Sequence, residues 1–269
     1  NKRYEGQFVN GKPNGQGIVY RENGNKRYEG PFENGKPNGQ GIGYHENGNK
    51  RYEGQFVNGK PNGQGIGYHE NGNKHYEGQW RNGNPNGQGI IYDENCKKRY
   101  EGQLENGKPN GQGIFYHEND NKHYVGQWLN GKLYGHCVVY FKNGNKLFEG
   151  QFENGKLNGQ GRRYYYSGIM IAYEGQYKNG QEHGYGISFH HNGDKLYEGQ
   201  YENGLPDRYG IIYYSNGRGN NKKFEGQIEK NIIQGDGRYY SDDGNIIYEG
   251  HFEKGLNVTP KIKNKSNFN

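Results

Sequence analysis

Apolar residues are scarce in this chain: 28% of its 269 residues are hydrophobic, and the mean hydropathy is -1.37. That is too little apolar material for a thick, two-sided core. Cysteine is nearly missing as well. Two Cys in so long a chain argue against a disulfide framework and for a reducing compartment. No apolar run approaches the length of a membrane span, and no secretory leader is visible. The chain opens on Asn1 in mid-motif without an initiator Met, which reads as a fragment of a longer protein. Charge of a single sign is also lacking: 35 Lys and Arg stand against 29 Asp and Glu, a net +6. So small an excess gives no basic stripe, so nucleic acid is not an expected partner, while acidic surfaces remain open.

Aromatic residues, by contrast, make up 15% of the chain, with 27 Tyr and 11 Phe, which is opposite to the aromatic-poor signature of disorder. The 50 Gly and 8 Pro would fit a low-complexity tract if they were scattered. They fall in register instead. Anchor residues recur at Tyr4, Tyr28, Tyr52, Tyr76, Tyr100, Tyr124, Phe148, Tyr173, Tyr197, Phe224 and Tyr248, with a step of 24 residues six times running. The step then becomes 25, 24, 27 and 24, and the extra residues fall around Ser167 to Ala172 and Asn216 to Asn221, where loops are expected.

Within the first unit, Tyr4-Glu-Gly-Gln-Phe8 alternates, Asn10-Gly-Lys-Pro-Asn14 is turn chemistry, Gly15-Gln-Gly-Ile-Val-Tyr20 is a second short segment, and Glu22-Asn-Gly-Asn25 turns again. This is the pattern of an antiparallel meander of hairpins. Counting with period two puts Tyr4, Gly6 and Phe8 on one aromatic face together with Gln16, Ile18 and Tyr20, and Glu5 and Gln7 on the other. The register itself cannot be fixed from sequence. Gly6 and Gly17 leave room for rings to lie over the backbone. The second-strand slot is preferred rather than obligatory, since Cys137 stands in it in the sixth unit and Arg208 replaces its partner Gly in the ninth.

The motif Tyr-x-Gly-x-Phe/Trp, Asn-Gly, Gly-x-Gly, as in Tyr76-Glu-Gly-Gln-Trp80-Arg-Asn-Gly83 and Gly87-Gln-Gly89, resembles the MORN (membrane occupation and recognition nexus) repeat. The resemblance covers residues 1–258 as ten complete units and a partial eleventh, followed by a basic, flexible C-terminal tail over 259–269. The departures are a slightly longer period and a Gln such as Gln7 where an acidic residue is common. The resemblance implies an all-β fold: an elongated, single-layer, twisted antiparallel β-sheet of stacked β-hairpin repeats. At about 4.8 Å per strand, each repeat advances about 9.6 Å and eleven run on the order of 105 Å.

The lattice accounts for each catalytic or metal-binding suggestion. The glutamates of Tyr-Glu-Gly would lie about 9.6 Å apart, at the upper limit for paired glycosidase acids, without an acid/base asymmetry. The Gly-rich strings lack the Lys-Ser/Thr end of a phosphate loop. His45, His69 and His117 share one slot, His75 and His123 another, and repeat spacing keeps such residues too far apart for one ion, so they read as solvated histidines. Cys96 and Cys137 lie nearly two repeats apart and read as free thiols. The glycosylation triplets Asn257-Val-Thr259 and Asn264-Lys-Ser266 are discounted. No catalytic residue, cofactor or metal is expected.

What remains is a stripe of rings with no second layer to cover it, the kind of exposed patch that marks an interaction surface. The candidate interaction face is Tyr4, Phe8, Tyr20, Tyr28, Phe32, Tyr52, Phe56, Tyr76, Trp80, Tyr100, Tyr124, Trp128, Phe152, Tyr164, Tyr177 and Tyr201. Trp80 and Trp128 replace Phe, Leu104 is smaller, and Tyr164-Tyr-Tyr166 raises the ring density. Expected partners are other structural proteins along the array, a second copy or second MORN protein, and acidic protein or anionic lipid at the tail. By its resemblance to the MORN arrays of ciliary radial-spoke heads and other axonemal parts, the chain is expected to be a cytoplasmic, non-enzymatic scaffold in a cytoskeletal assembly. The alternatives are a lipid (phosphoinositide) tether and the regulatory repeat region of a larger enzyme such as a phosphoinositide kinase.

Overall fold

Alternating Tyr, Gly and Phe separated by Asn-Gly pairs leaves the backbone little choice but to form short strands and tight turns, and the computed structural model bears this out. It describes residues 3–215 and 221–255, and these hold twenty-two strands and no helix. The chain divides into two compact units, Asn1–Leu133 and Tyr134–Asn269. In each, consecutive hairpins pair antiparallel into a single layer, as in Tyr4–Val9 with Lys12–Tyr20 and Lys26–Glu33 in the first, and Ile171–Lys178 with Gln181–Phe189 and Lys195–Glu202 in the second.

The tight end of each hairpin is a type I′ turn, with Asn10 at φ 51 and Gly11 at φ 74, which suits the right-handed twist of the flanking strands. The other end is a longer loop: the Arg21 N–H donates to Asn25 O (2.8 Å), the Gly24 N–H to Arg21 O (3.0 Å), and the Asn25 N–H to Asn23 Oδ1 (3.0 Å). The extra residue near Ser167 sits in such a loop, closed by the Tyr165 N–H on Met170 O at 3.0 Å. The second insertion lies largely in residues outside those described.

Register corrects the expected faces. Tyr4 pairs with Val19, Glu5 with Ile18 and Gly6 with Gly17, so an even-numbered residue of the first strand faces an odd-numbered one of the second. A bulge follows, in which Asn14, Gly15 and Gln16 oppose Gln7, before Phe8 meets Pro13. Tyr4, Gly6, Phe8, Gly17 and Val19 therefore share the aromatic face. Gln16, Ile18 and Tyr20 lie on the other, with Glu5. Gly15 takes φ 72 in the bulge, and Arg208 adopts φ 69 in the same slot of the ninth hairpin.

Where a described hairpin carries both glycines and a first-strand tyrosine, that tyrosine folds back over the pair, as Tyr28, Tyr52 and Tyr173 do. A Cβ on Gly89 would fall inside the ring of Tyr76, and one on Gly17 inside that of Tyr4. The hydroxyl then reaches back to its own strand: Tyr76 OH donates to Gln79 O (2.9 Å) and Tyr100 OH to Gln103 O (2.7 Å). The next hairpin closes the ring edge-on, Phe56 against Tyr28 at 4.9 Å and Trp80 against Tyr52 at 5.0 Å between centroids. The stripe is thus a core one ring thick. Phe32, seated on Tyr4 at 5.5 Å, is 5% exposed, whereas Phe8, in the first described hairpin, is 58% exposed.

Gly89→Ala tests this packing without backbone strain, because the added methyl meets the Tyr76 ring directly. Overpacking should cost about 1–3 kcal/mol, read as a lower denaturation midpoint, while Gln88→Ala beside it on the exposed face should change little.

Candidate interaction surface

Of the sixteen ring positions expected to form an exposed face, Tyr28, Phe32, Tyr52, Phe56, Tyr76, Tyr100, Trp128, Phe152, Tyr177 and Tyr201 are buried. Tyr4, Trp80 and Tyr124 are half-buried, and Phe8 alone on that face is exposed. The expectation of an open aromatic stripe is overturned because glycine backbones and neighbouring rings take the place of a second layer. Tyr20 and Tyr164 are corrected to the opposite face, where their hydroxyls donate to Glu5 (3.1 Å) and Glu149 (2.9 Å). Tyr165 instead donates to Phe189 O (2.5 Å) at the loop edge, and Tyr166 is exposed beside Phe141, so the tyrosine triplet does not act as one patch.

That opposite face carries a repeated constellation that sequence reading missed. Lys26 pairs with Glu29 at 2.8 Å, Tyr44 OH donates to the same carboxylate at 2.9 Å, and the ammonium lies 6.0 Å from the centre of the Tyr44 ring. The same trio recurs at Lys50, Glu53 and Tyr68, at Lys98, Glu101 and Tyr116, at Lys146, Glu149 and Tyr164, and at Lys195, Glu198 and Tyr213. Val125 interrupts it, standing opposite Ile114 where other hairpins hold Glu. Between the trios run facing glutamines, Gln40 with Gln55, Gln64 with Gln79, Gln88 with Gln103, Gln112 with Gln127 and Gln160 with Gln176, all exposed.

The trios make stability depend on acid. At Glu198 desolvation opposes ionisation, but hydrogen bonds from Lys195, Tyr185 and Tyr213 and the Lys195 charge outweigh it and bring the carboxyl to about 2. Glu29, Glu53, Glu101, Glu149 and Glu225 are lowered too, in each case first by their lysine. A carboxyl depressed on folding stabilises the fold above its unfolded pKa, and that contribution is lost as pH falls through the folded value. The melting temperature should therefore fall steadily from pH 5 toward about pH 2, and Glu198→Gln should flatten the lower part of that curve.

Histidine spacing also needs correction. The two slots meet across the loop: His69 and His75 have ring centroids 4.6 Å apart, and His117 and His123 stack at 3.9 Å. They are ring pairs rather than independently solvated groups, and His69 Nε2 lies 3.3 Å from Tyr92 O. Among the described residues no group of three or more His, Cys, Asp or Glu is placed to hold a metal ion. Cys96 is exposed, Cys137 is buried, and neither forms a disulfide among the described residues.

Exceptions to the apolar pattern gather in the second unit. Arg163 on the aromatic face donates through Nε (3.0 Å) and Nη2 (2.9 Å) to Glu182 Oε1, and Glu182 occupies the slot that holds Pro13 in the first hairpin. Burial pushes the Glu182 carboxyl up against the pull of Arg163. The hydroxyls of Tyr177, Ser188 and Tyr201 are buried nearby, Tyr177 beside Arg163 and Tyr201 beside Ser188. Removing one charge leaves the other buried and uncompensated. Arg163→Leu or Glu182→Leu alone should cost about 3–5 kcal/mol, whereas the double variant should recover most of that loss in denaturant titration.

The tail over 259–269 and the triplets at Asn257 and Asn264 lie outside the described residues. Among curated proteins none matches the chain. The family model of the MORN repeat matches ten stretches, residues 4–26, 28–50, 52–74, 76–95, 100–122, 124–146, 148–170, 173–195, 197–217 and 224–246. These run nearly hairpin for hairpin from one first-strand aromatic to the start of the next. With its tyrosine-on-glycine packing repeated along most of its length, the chain belongs to the MORN repeat family, a protein-binding or membrane-binding repeat module.

Proposed function

We propose that this protein is a non-enzymatic scaffold that binds other structural proteins through its glutamine face. The observation that carries this reading is that face's electrostatic closure: each trio satisfies its lysine and glutamate internally, and paired neutral amides lie between the trios at five places along the face. A surface of this kind offers a partner many equivalent hydrogen-bonding positions with little charge to desolvate, and several weak contacts on one chain add through effective concentration. The aromatic face is already occupied by its own packing. The narrower setting, a cytoplasmic cytoskeletal assembly of the ciliary or axonemal kind, rests on the likeness of so long a MORN array to those of radial-spoke heads.

A membrane-binding reading has one observation in its favour. Lys12, Lys36, Lys60 and Lys108 are exposed along the tight-turn edge of the first unit, and a row of lysines attracts anionic lipid. The scaffold reading is preferred because Glu33 and Glu105 stand directly opposite Lys36 and Lys108.

The two readings separate in one experiment. Native, tagged full-length protein should bring down cytoskeletal or axonemal proteins and should not float with vesicles containing phosphatidylserine and phosphoinositide. Flotation without filament proteins would sink the scaffold reading.

A further inference from the structure

The glutamine face changes character in three successive steps of the second unit. Where five other junctions oppose two glutamines, and two more keep one of them (Gln16 facing Pro31, His136 facing Gln151), Tyr185 faces Gln200, Tyr209 faces Gln227, and Asp236 faces His251. Neither tyrosine stands upright. Tyr185 OH donates to Glu198 and Tyr209 OH to Glu225 (3.2 Å), each on the neighbouring strand and diagonal to the residue directly opposite. A ring anchored in this way lies along the sheet, with one side toward backbone and the other toward solvent. Their exposures, 48% and 52%, agree with one covered side.

Tyr209 also separates two open clefts. One, of about 410 Å³, is walled by Glu225, Asp236, Arg238 and Glu249. The other, of about 450 Å³, is lined by Gln227 and Gln234. Arg238 pairs with Glu249 (2.9 Å), and Asp236 has His251 at 2.8 Å. Lys222 lies on Glu225 at 2.9 Å, so the three carboxylates of the first cleft stand against one guanidinium and one ammonium, and the cleft favours a cation over an anion through the one carboxylate in excess.

We propose that Tyr185, Tyr209 and the acidic cleft form a docking site for a proline-rich segment of a partner protein in polyproline II conformation, with a basic residue entering the cleft. The proposal rests on the scaffold reading above and names the chemistry of one partner site.

Three observations fix the occupant. The rings occupy equivalent slots two strands apart, about 9.6 Å, and a polyproline II helix repeats every three residues, about 9.3 Å, so prolines at i and i+3 reach both. Such a helix has no internal hydrogen bonds, and its free carbonyls match the amides of exposed Gln227 beside one ring and half-buried Gln200 beside the other. Flat aromatic rings are the usual seats for proline in this mode of recognition. Charge supplies the third: on this same face Lys195 lies 2.5 Å from Glu198 and 5.4 Å from the centre of the Tyr213 ring, a working example of a cation held by carboxylate and tyrosine. Nucleic acid and anionic headgroups would meet carboxylates instead.

The order along the sheet reads ring, ring, acid, which corresponds to Pro-x-x-Pro-x-x-Arg. A fluorescent peptide carrying two such motifs should bind the full chain saturably. Tyr185→Ala and Tyr209→Ala should each weaken it roughly tenfold or more, and changing the peptide Arg to Glu should do the same. Gln64→Ala, in the unaltered glutamine rows of the first unit, should have no effect. Thermal melts of both tyrosine variants check that the sheet is intact. The inference is overturned if the wild-type chain does not bind the peptide. It is equally overturned if the tyrosine variants bind unchanged, if a peptide with prolines two apart binds as well, or if a neutral β-glucan oligosaccharide saturates the rings and the peptide does not. If cytoskeletal proteins still co-purify in any of those cases, the scaffold reading survives and this site assignment alone falls. Vesicle flotation without such proteins would remove the scaffold reading whatever the peptide does.

Discussion

A tyrosine ring lying flat on a pair of facing glycines is the contact on which the rest of this fold depends. With 28% hydrophobic residues the chain cannot build two layers around a core, so burial has to come from backbone. Glycine supplies that surface. The Gly54–Gly65 pair leaves the sheet bare where the Tyr52 ring comes down, and the hydroxyl escapes to the Gln55 carbonyl at 3.0 Å, so the ring is buried without orphaning its polar end. One edge of such a ring stays open until the next hairpin brings an apolar or aromatic residue, as Phe56 does for Tyr28 and Tyr201 for Tyr173. A hairpin is therefore incomplete alone, and stacking is required rather than optional, as in other repeat proteins.

The opposite face follows from the same arrangement. Because the bulky residues are drawn to one side, the other side is left to Lys, Glu, Tyr and Gln, and a row of like charges one repeat apart has to be neutralised within each hairpin. The trio does this: Lys98 and Tyr116 both bind Glu101 and hold its carboxyl below the usual range, with the lysine contributing most. Such half-exposed pairs contribute modestly to stability. Their larger effect is order, since each ties three side chains together and leaves the glutamine rows as the variable surface.

The repeat, the hairpins, the Asn-Gly turns and the loop position of the extra residue near Ser167 were legible in the sequence, because each is a local property of spacing and turn chemistry. The faces were not. Assigning Tyr20 to the aromatic side assumed like parity across a hairpin, and the facing pair Gly6 and Gly17 reverses it. The recurrence of both glycines was the available signal, since two residues reserved for one ring must oppose each other. Exposure was misjudged for a related reason: a ring was thought to need a second layer, when glycine backbone suffices. His69 with His75, and Arg163 with Glu182, were missed because their separations follow loop geometry and register rather than the repeat period.

A core one ring thick also governs where such a protein can change. In a deep core, a charged residue such as Arg163 would disturb packing on every side. Here its surroundings are two adjacent hairpins, and a single compensating residue, Glu182, lies within reach. Substitutions are contained for the same reason on the glutamine face, where Tyr185 and Tyr209 replace glutamines while the trios built on Glu198 and Glu225 beside them stay intact. Each hairpin can thus depart from the shared pattern without loosening those further along. The departures from Tyr185 to His251 fall in neighbouring hairpins, and that clustering is what the docking site proposed above draws on.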